Sequence, residues 1–312
     1  MQDGGQDLRK LKMMKQRTLK KSYAFFGKGL HTGVLSRLVL NPAPEGTGIV
    51  FVRTDLGITI PALSENVAGT ERCTLLAKEG ASVSTVEHLM SALTGLGVDN
   101  ACIEIDGGEV PILDGSALPY AEAIAKDGLA EQEAPRRHVT PREPLEVSLG
   151  SSGSRILIEP CGHFSCDLTV DFGSGVPGVQ TFHWEEGGDY AGEVAPCRTF
   201  VFFHELQSLA SRGLIKGGDT DNAIVVVDPS IPRDEVAALA RLMGRPGLEA
   251  TPEGYLSNLT LRFPNECARH KMLDLIGDFR LCGGFMRARI TAFKPGHTIN
   301  SAAVRAVLNS IG

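Results

Sequence analysis

The chain has 312 residues, a formal net charge of −6 and 42% hydrophobic content, with charged residues at 22%. That length suits one large domain or two of about 150 residues each, and the composition excludes disorder, collagen and coiled coil. The acidic balance argues against nucleic acid as a partner, and no apolar run approaches the roughly 18 residues that a membrane helix needs.

Seven scattered cysteines, an odd number, read as free thiols in a reducing compartment rather than as a disulfide framework. The N-terminus is basic but lacks the apolar core of a secretion signal, so the expected location is cytoplasmic. In chain order, residues 1–13 are expected to be a disordered tail or a start artefact, with Met13 and Met14 as alternative starts. Seven Lys or Arg between Arg9 and Lys21 suit a solvated tail, or at most peripheral attraction to an anionic membrane face. Leu35–Leu40 and Gly48–Val52 predict strands around the turn-forming cluster Asn41-Pro-Ala-Pro-Glu-Gly. Thr85–Leu96 predicts a helix, Ala101–Ile105 a strand and Leu118–Asp127 a second helix. Residues 131–144, charged and with three prolines, are the expected linker.

Beyond it, Leu145–Leu149, Arg155–Glu159, Asp167–Phe172, Ala223–Asp228 and Phe285–Ala292 predict strands. His204–Ser211, Arg233–Met243, Asn265–Leu281 and Ser301–Ile311 predict helices. Mixed elements in both halves predict two α+β layers facing each other, with a ligand cleft between them.

The chemistry concentrates in Arg269-His-Lys-Met-Leu-Asp-Leu-Ile-Gly-Asp-Phe. On a helix with His270 at zero, Asp274 falls at about 40°, Asp278 at about 80° and Lys271 at about 100°, while Met272, Leu275, Ile276 and Phe279 fall between about 140° and 240°. The apolar stripe thus packs on one side and the ionisable groups gather on the other. His270 and Asp274 at i, i+4 make a two-ligand metal clip, or else an ion pair on an exposed amphipathic helix. A metal needs a third ligand, and His88 in Ser84-Thr-Val-Glu-His supplies a candidate. Glu87 beside it has two readings: Ser84-x-x-Glu87 fits a capping box, and a free carboxylate next to a metal fits a general base. His297, in Lys294-Pro-Gly-His-Thr-Ile-Asn, is expected on an exposed loop, either solvated or presented to a cleft as a cationic group. Cys161-Gly-His-Phe-Ser-Cys166 lacks the second ligand pair that a zinc finger requires.

Seven ordered segments then carry a resemblance. They are GKGLHTG (27–33), STVEHLMSAL (84–93), VPILDGSALPY (110–120), CRTF (197–200), GLIKGGDTDNAIVV (213–226), RHKMLDLIGD (269–278) and KPGHTIN (294–300). Together they resemble the UDP-3-O-acyl-N-acetylglucosamine deacetylases, zinc amidases of lipid A biosynthesis. The resemblance implies an α+β fold of two domains with similar topology, each a mixed sheet layered on helices. The helices would lie sandwiched between the two sheets, with the active site at the domain junction. It implies domains at 14–135 and 136–312, the second carrying an apolar insertion near 200–227 and an extended segment at 229–263. It further implies Zn²⁺, with Fe²⁺ as an alternative, on His88, His270 and Asp274. Glu87 then matches the base, His297 a cationic partner charged by Asp278, and Thr199 an oxyanion donor. Lys271, Phe200, Phe172 and Lys294 match substrate contacts. Phe202, Leu206, Leu209, Leu214, Ile215 and Val225 are candidate linings of an acyl passage, each equally readable as ordinary core. The implied substrate is UDP-3-O-acyl-N-acetylglucosamine and the implied state a monomer. Two rivals stand: a non-catalytic binder of sugar nucleotide or acyl chain, and a metal hydrolase of another acylated sugar.

Overall fold

Alternating burial organises the strands of two five-stranded sheets. The computed structural model describes residues 14–150, 152–206, 216–219, 221–242 and 244–312. In the first half the strands are β1 (Lys15–Leu19), β2 (Tyr23–Lys28), β3 (Leu35–Pro42), β4 (Ile49–Arg53), β5 (Ile58–Pro61), β6 (Val67–Gly69), β7 (Leu75–Lys78), β8 (Ala81–Val83) and β9 (Ala101–Ile105). Helix α1 (Glu87–Gly95) precedes β9, and α2 (Leu118–Asp127) follows it. Then come β10 (Leu129–Pro135), β11 (His138–Val139), β12 (Leu145–Leu149), β13 (Ser154–Pro160), β14 (Ser165–Asp171), β15 (Val179–Glu185) and the short α3 (Tyr190–Glu193). The chain continues through β16 (Phe200–Phe202), β17 (Ile224–Val226), α4 (Arg233–Leu242), α5 (Glu266–Phe279), β18 (Phe285–Met286), β19 (Ala288–Phe293) and α6 (His297–Ile311).

The two sheets have one topology. The first runs β2-β3-β9-β4-β5 and the second β12-β13-β19-β14-β15. In each, the central late strand pairs antiparallel on one side and parallel on the other, through β9 with β4 and β19 with β14. A parallel pair needs a crossover, and α1 and α5 occupy equivalent places just before the two central strands. Each sheet buries one face, with Leu38, Leu40, Ile49 and Phe51 in the first and Ile156, Ile158, Leu168 and Ile290 in the second. One apolar cluster joins both halves. At its centre α1 packs on α5, α5 also rests on β14 and β15, and α6 covers β12 and β13.

The approach of α1 to α5 depends on Gly277. A Cβ there would collide with the Glu87 carbonyl oxygen and lie 3.1 Å from Ser91 N. Gly277→Ala is therefore expected to destabilise the fold by about 1–3 kcal/mol through overpacking. It should also push apart the two helices, α1 and α5, on which His88, His270 and Asp274 lie. Urea unfolding checks the first effect, and a wild-type midpoint would contradict it.

Several sequence expectations need correction. Lys15–Leu19 is not tail but strand β1, paired antiparallel with β10, and Lys15 and Lys21 form ion pairs with Glu133 and Asp127. The expected linker is largely structured: it holds most of β10, and β11 pairs in parallel with β18. α1 begins at Glu87, not Thr85, because Thr85 takes a left-handed φ of 58°. The last helix begins at His297, four residues earlier than expected, on the extended Gly296. Phe285–Ala292 is two strands rather than one. The reading of 1–13, the end of the 204–211 helix and residues Leu209, Leu214 and Ile215 lie outside the described residues. Among the described residues, no helix is long and apolar enough to cross a membrane.

Candidate active site

Helices α1 and α5 bring their ionisable residues to one buried point. His88, His270 and Asp274 offer ligand atoms that all lie within 4.8 Å of one another. Asp274 Oδ1 is 3.5 Å from His270 Nε2 and 3.7 Å from His88 Nε2. Ligand bonds of about 2.0–2.2 Å in a tetrahedral array put neighbouring ligand atoms about 3.3–3.5 Å apart, close to this spacing. Asp274 Oδ1 is buried with no hydrogen-bond partner among the described residues, a costly state that a cation would relieve. The other carboxylate oxygen accepts from Lys271 Nζ at 2.8 Å. His270 donates from Nδ1 to the Cys197 carbonyl at 3.1 Å, which leaves the Nε2 lone pair facing Asp274. Burial holds both imidazoles below their ordinary value, His88 down at about 3 with the help of His270. Burial alone would raise Asp274, but His270, Lys271 and His297 hold it far below the usual carboxylate range. Two neutral imidazoles and one carboxylate are the donor set a divalent transition metal takes.

Glu87 and His297 flank this trio. Glu87 Oε2 accepts from Thr74 N at 3.0 Å, and Ser84 Oγ bonds instead to the Gly108 carbonyl, so the capping box does not form. Burial pushes the Glu87 carboxyl up to about 7, against the pull of His297. His297 Nδ1 is 2.9 Å from Asp278 Oδ2, and its Nε2 lies 3.8 Å from Glu87 Oε1 and 3.9 Å from Asp274 Oδ2. Burial pulls this imidazole down, but Asp278 and Glu87 outweigh it and hold it up at about 9. Asp278 is itself fixed from three sides, since Thr74 Oγ1 and Asn300 Nδ2 donate to it at 2.6 and 2.9 Å. His297 is thus a buried residue in the first turn of α6 rather than a loop residue.

Glu87, His88, His270, Asp274 and His297 line a cavity of about 220 Å³, together with Lys271, Thr199, Phe200 and Phe172, while Asp278 stands behind His297 outside the lining. Thr199 is held by main-chain bonds to Gly115 and Ile224. Next to it, the buried Arg198 makes a two-bond pair with Glu266 at 2.9 and 3.1 Å, which locks the Cys197–Thr199 turn to the start of α5. Phe172 stands edge-on to Phe200 and Phe202, at 5.5 and 5.2 Å between centroids. Lys294 is not in the lining; it pairs with Asp171 at 3.2 Å. Val225 and Leu206 do not face this cavity either. Both pack into a separate small core with Val201, Val227, Val236 and Leu256, because β16 and β17 turn that face away from the site.

Sequence reasoning missed Thr74, Glu109, Arg72 and Glu205. Glu109 accepts from His31 N, Thr32 N, Thr32 Oγ1 and Thr85 Oγ1, tying the turn at His31 and Thr32 to Thr85, two residues before α1. Arg72 and Glu205 form an ion pair at the cavity wall. A lone Thr or Glu gives no periodic signal. Asn300 was within reach of one, since it lies one turn beyond His297.

The family model for UDP-3-O-acyl N-acetylglycosamine deacetylase, LpxC, matches residues 16–238 and 249–309. The chain belongs to this family. The residues between the matched stretches, 239–248, fall inside the 229–263 segment that carries α4. The chain is 43% identical over 297 residues to a UDP-3-O-acyl-N-acetylglucosamine deacetylase of Myxococcus xanthus, covering 94% of this chain and 86% of the relative. It is 39% identical over 299 residues to one from Phenylobacterium zucineum, covering 94% and 93%. A bifunctional LpxC/FabZ enzyme of Bacteroides thetaiotaomicron is 44% identical over 301 residues, 96% of this chain. The chain spans 65% of the length of that bifunctional relative. The LpxC fold, α+β with two similar mixed sheets packed with helices, is the one described above.

Proposed function

We propose that this chain hydrolyses the N-acetyl amide of UDP-3-O-acyl-N-acetylglucosamine, releasing acetate and the free 2-amino sugar nucleotide, as a step of lipid A biosynthesis. The observation that carries the reading is the convergence of Glu87, His297 and the His88–His270–Asp274 trio on one buried cavity. The ion proposed for the trio is Zn²⁺, with Fe²⁺ as the alternative. A divalent ion there would supply Lewis-acid polarisation of the amide carbonyl and acidify water.

The protein's own groups do the rest. Glu87, ionised, takes a proton from the attacking water at its Oε1 side, since Oε2 is engaged by Thr74. Thr199 Oγ1 donates to the developing oxyanion. His297, kept protonated by Asp278, stabilises charge at Nε2 and delivers a proton to the departing nitrogen. Lys271 stays charged beside Asp274 and offers a donor to the sugar or acyl ester. Phe172 and Phe200 form an apolar wall for the substrate, and Lys294 is assigned to the nucleotide end. We divide the chain into domains 14–135 and 136–312, each containing one of the five-stranded sheets, and place it in the cytoplasm as a monomer.

The direct test is acetate release from UDP-3-O-acyl-N-acetylglucosamine, compared with the same sugar nucleotide lacking the 3-O-acyl chain. Equal turnover of both would move the substrate to another acylated sugar, and no turnover of either would leave a binder. The pH profile follows from the two flanking groups. Rate rises as Glu87 ionises, through about 7, and falls as His297 loses its proton, through about 9. A bound cation favours the deprotonated form of both groups and shifts both limbs down in pH. The expected profile is a bell, and a rate still climbing above about pH 9 would contradict a protonated His297.

A further inference from the structure

A second cavity, of about 300 Å³, lies at the opposite ends of the two site helices. Its wall includes Gly95 at the end of α1 and Phe279 and Arg280 at the end of α5. From His270 to Arg280 the chain runs ten residues, about 15 Å along a helix, so this cavity is separate from the metal trio.

Three arginines line the cavity, Arg17, Arg136 and Arg280, the last shared with a neighbouring cavity that Asp99 and Arg137 also line. Arg136 is paired with the buried Asp99 at 2.7 Å. Among the described residues, Arg280 hydrogen-bonds only to the main-chain carbonyls of Val98 and Asp99, and its Nε is buried without a partner. The half-buried Arg17 guanidinium makes no hydrogen bond and no ion pair among the described residues. Arg17 and Arg136 converge: a Cβ on Gly97 would lie 3.0 Å from Arg17 Nη2 and 3.3 Å from Arg136 Nη2. Three cations thus share the buried carboxylate of Asp99, with two exposed carboxylates nearby, Glu131 opposite Arg17 across the β1–β10 pair and Glu186 at the rim. Like charges gathered in a partly desolvated space favour a bound anion strongly.

The remaining wall is aromatic. Phe285 is stacked between Arg136 at 3.9 Å and Arg280 at 4.5 Å, which orients both cations. Phe164 and Trp184 face it, with ring centroids 5.9 Å apart. Trp184 Nε1 is buried with no acceptor among the described residues, a further donor left unused.

We propose that this cavity binds a small organic oxyanion, a phosphate or carboxylate borne on a flat apolar body. The oxyanion would sit between Arg17 and Arg280, with the flat body against Trp184 and Phe164. The site is independent of the reaction at the metal trio.

Trp184 is the single tryptophan of the chain, so its fluorescence reports on this cavity directly. Phenyl phosphate is titrated into the metal-loaded protein, with phenol and inorganic phosphate as controls. The expected result is a saturable change in Trp184 emission with phenyl phosphate, a weaker one with inorganic phosphate and the weakest with phenol. Arg17→Gln should weaken the phenyl phosphate midpoint at least about tenfold. In the unmodified protein, added KCl should raise that midpoint, a measurement that does not depend on the variant folding. Absence of saturation up to about 10 mM, a range that would already mark very weak binding, overturns the proposal. So does phenol binding as tightly as phenyl phosphate, a salt-insensitive midpoint, or an unchanged titration in Arg17→Gln.

Discussion

Glu87→Gln is expected to lower kcat by at least about 100-fold while metal content stays at the wild-type level. The amide keeps the side chain's shape, and its oxygen can still accept from Thr74 N, so the first turn of α1 keeps its geometry. What it loses is the ability to hold a proton. The neighbouring His297 also loses one of the three carboxylates that keep it charged, so the alkaline limb of any residual activity should move to lower pH. Acetate release and metal analysis of the purified variant check both parts. Unchanged turnover would remove Glu87 from the role of base.

His270→Ala is expected to weaken metal binding by more than about 100-fold, beyond what loss of an outer hydrogen-bond partner costs, and to bring turnover near background. The variant leaves the buried Asp274 Oδ1 with one imidazole facing it instead of two and frees the Cys197 carbonyl that His270 engaged. Chelation of the unmodified protein should give the same loss of activity, and adding back Zn²⁺ or Fe²⁺ separately tells which ion restores it. A variant that retains one ion per chain and full turnover would dissolve the trio as a metal site.

The residues that carry these predictions were legible because periodicity placed them. The stripe of Met272, Leu275, Ile276 and Phe279 orients α5, so His270, Asp274 and Asp278 had to share the other side. The resemblance added Glu87, His88 and His297, which spacing alone left ambiguous. Thr74 decides the ambiguity at Glu87, and it is bonded to residues 13 and 204 positions away. Contacts of that range leave no local pattern. The start of α6 was missed for a related reason: Thr298, Ile299 and Asn300 are poor helix formers, and burial of His297, Ile299 and Asn300 overrides their propensity. β1 reads as a charged tail because its partner, β10, lies more than a hundred residues ahead. The twofold likeness of the sheets came from the resemblance and not from any repeat in the residues, since a strand order needs only alternation and turns, not repeated residues.

The equivalence of α1 and α5 has a thermodynamic consequence. The trio takes one side chain from the first helix and two from the second, so an ion held there would rivet the halves of the chain together. Unfolding must then release it, and resistance to heat or urea becomes a function of free metal, gaining about 2.7 kcal/mol at a hundredfold excess over Kd. Melting curves recorded without fixing that concentration would report the buffer as much as the protein.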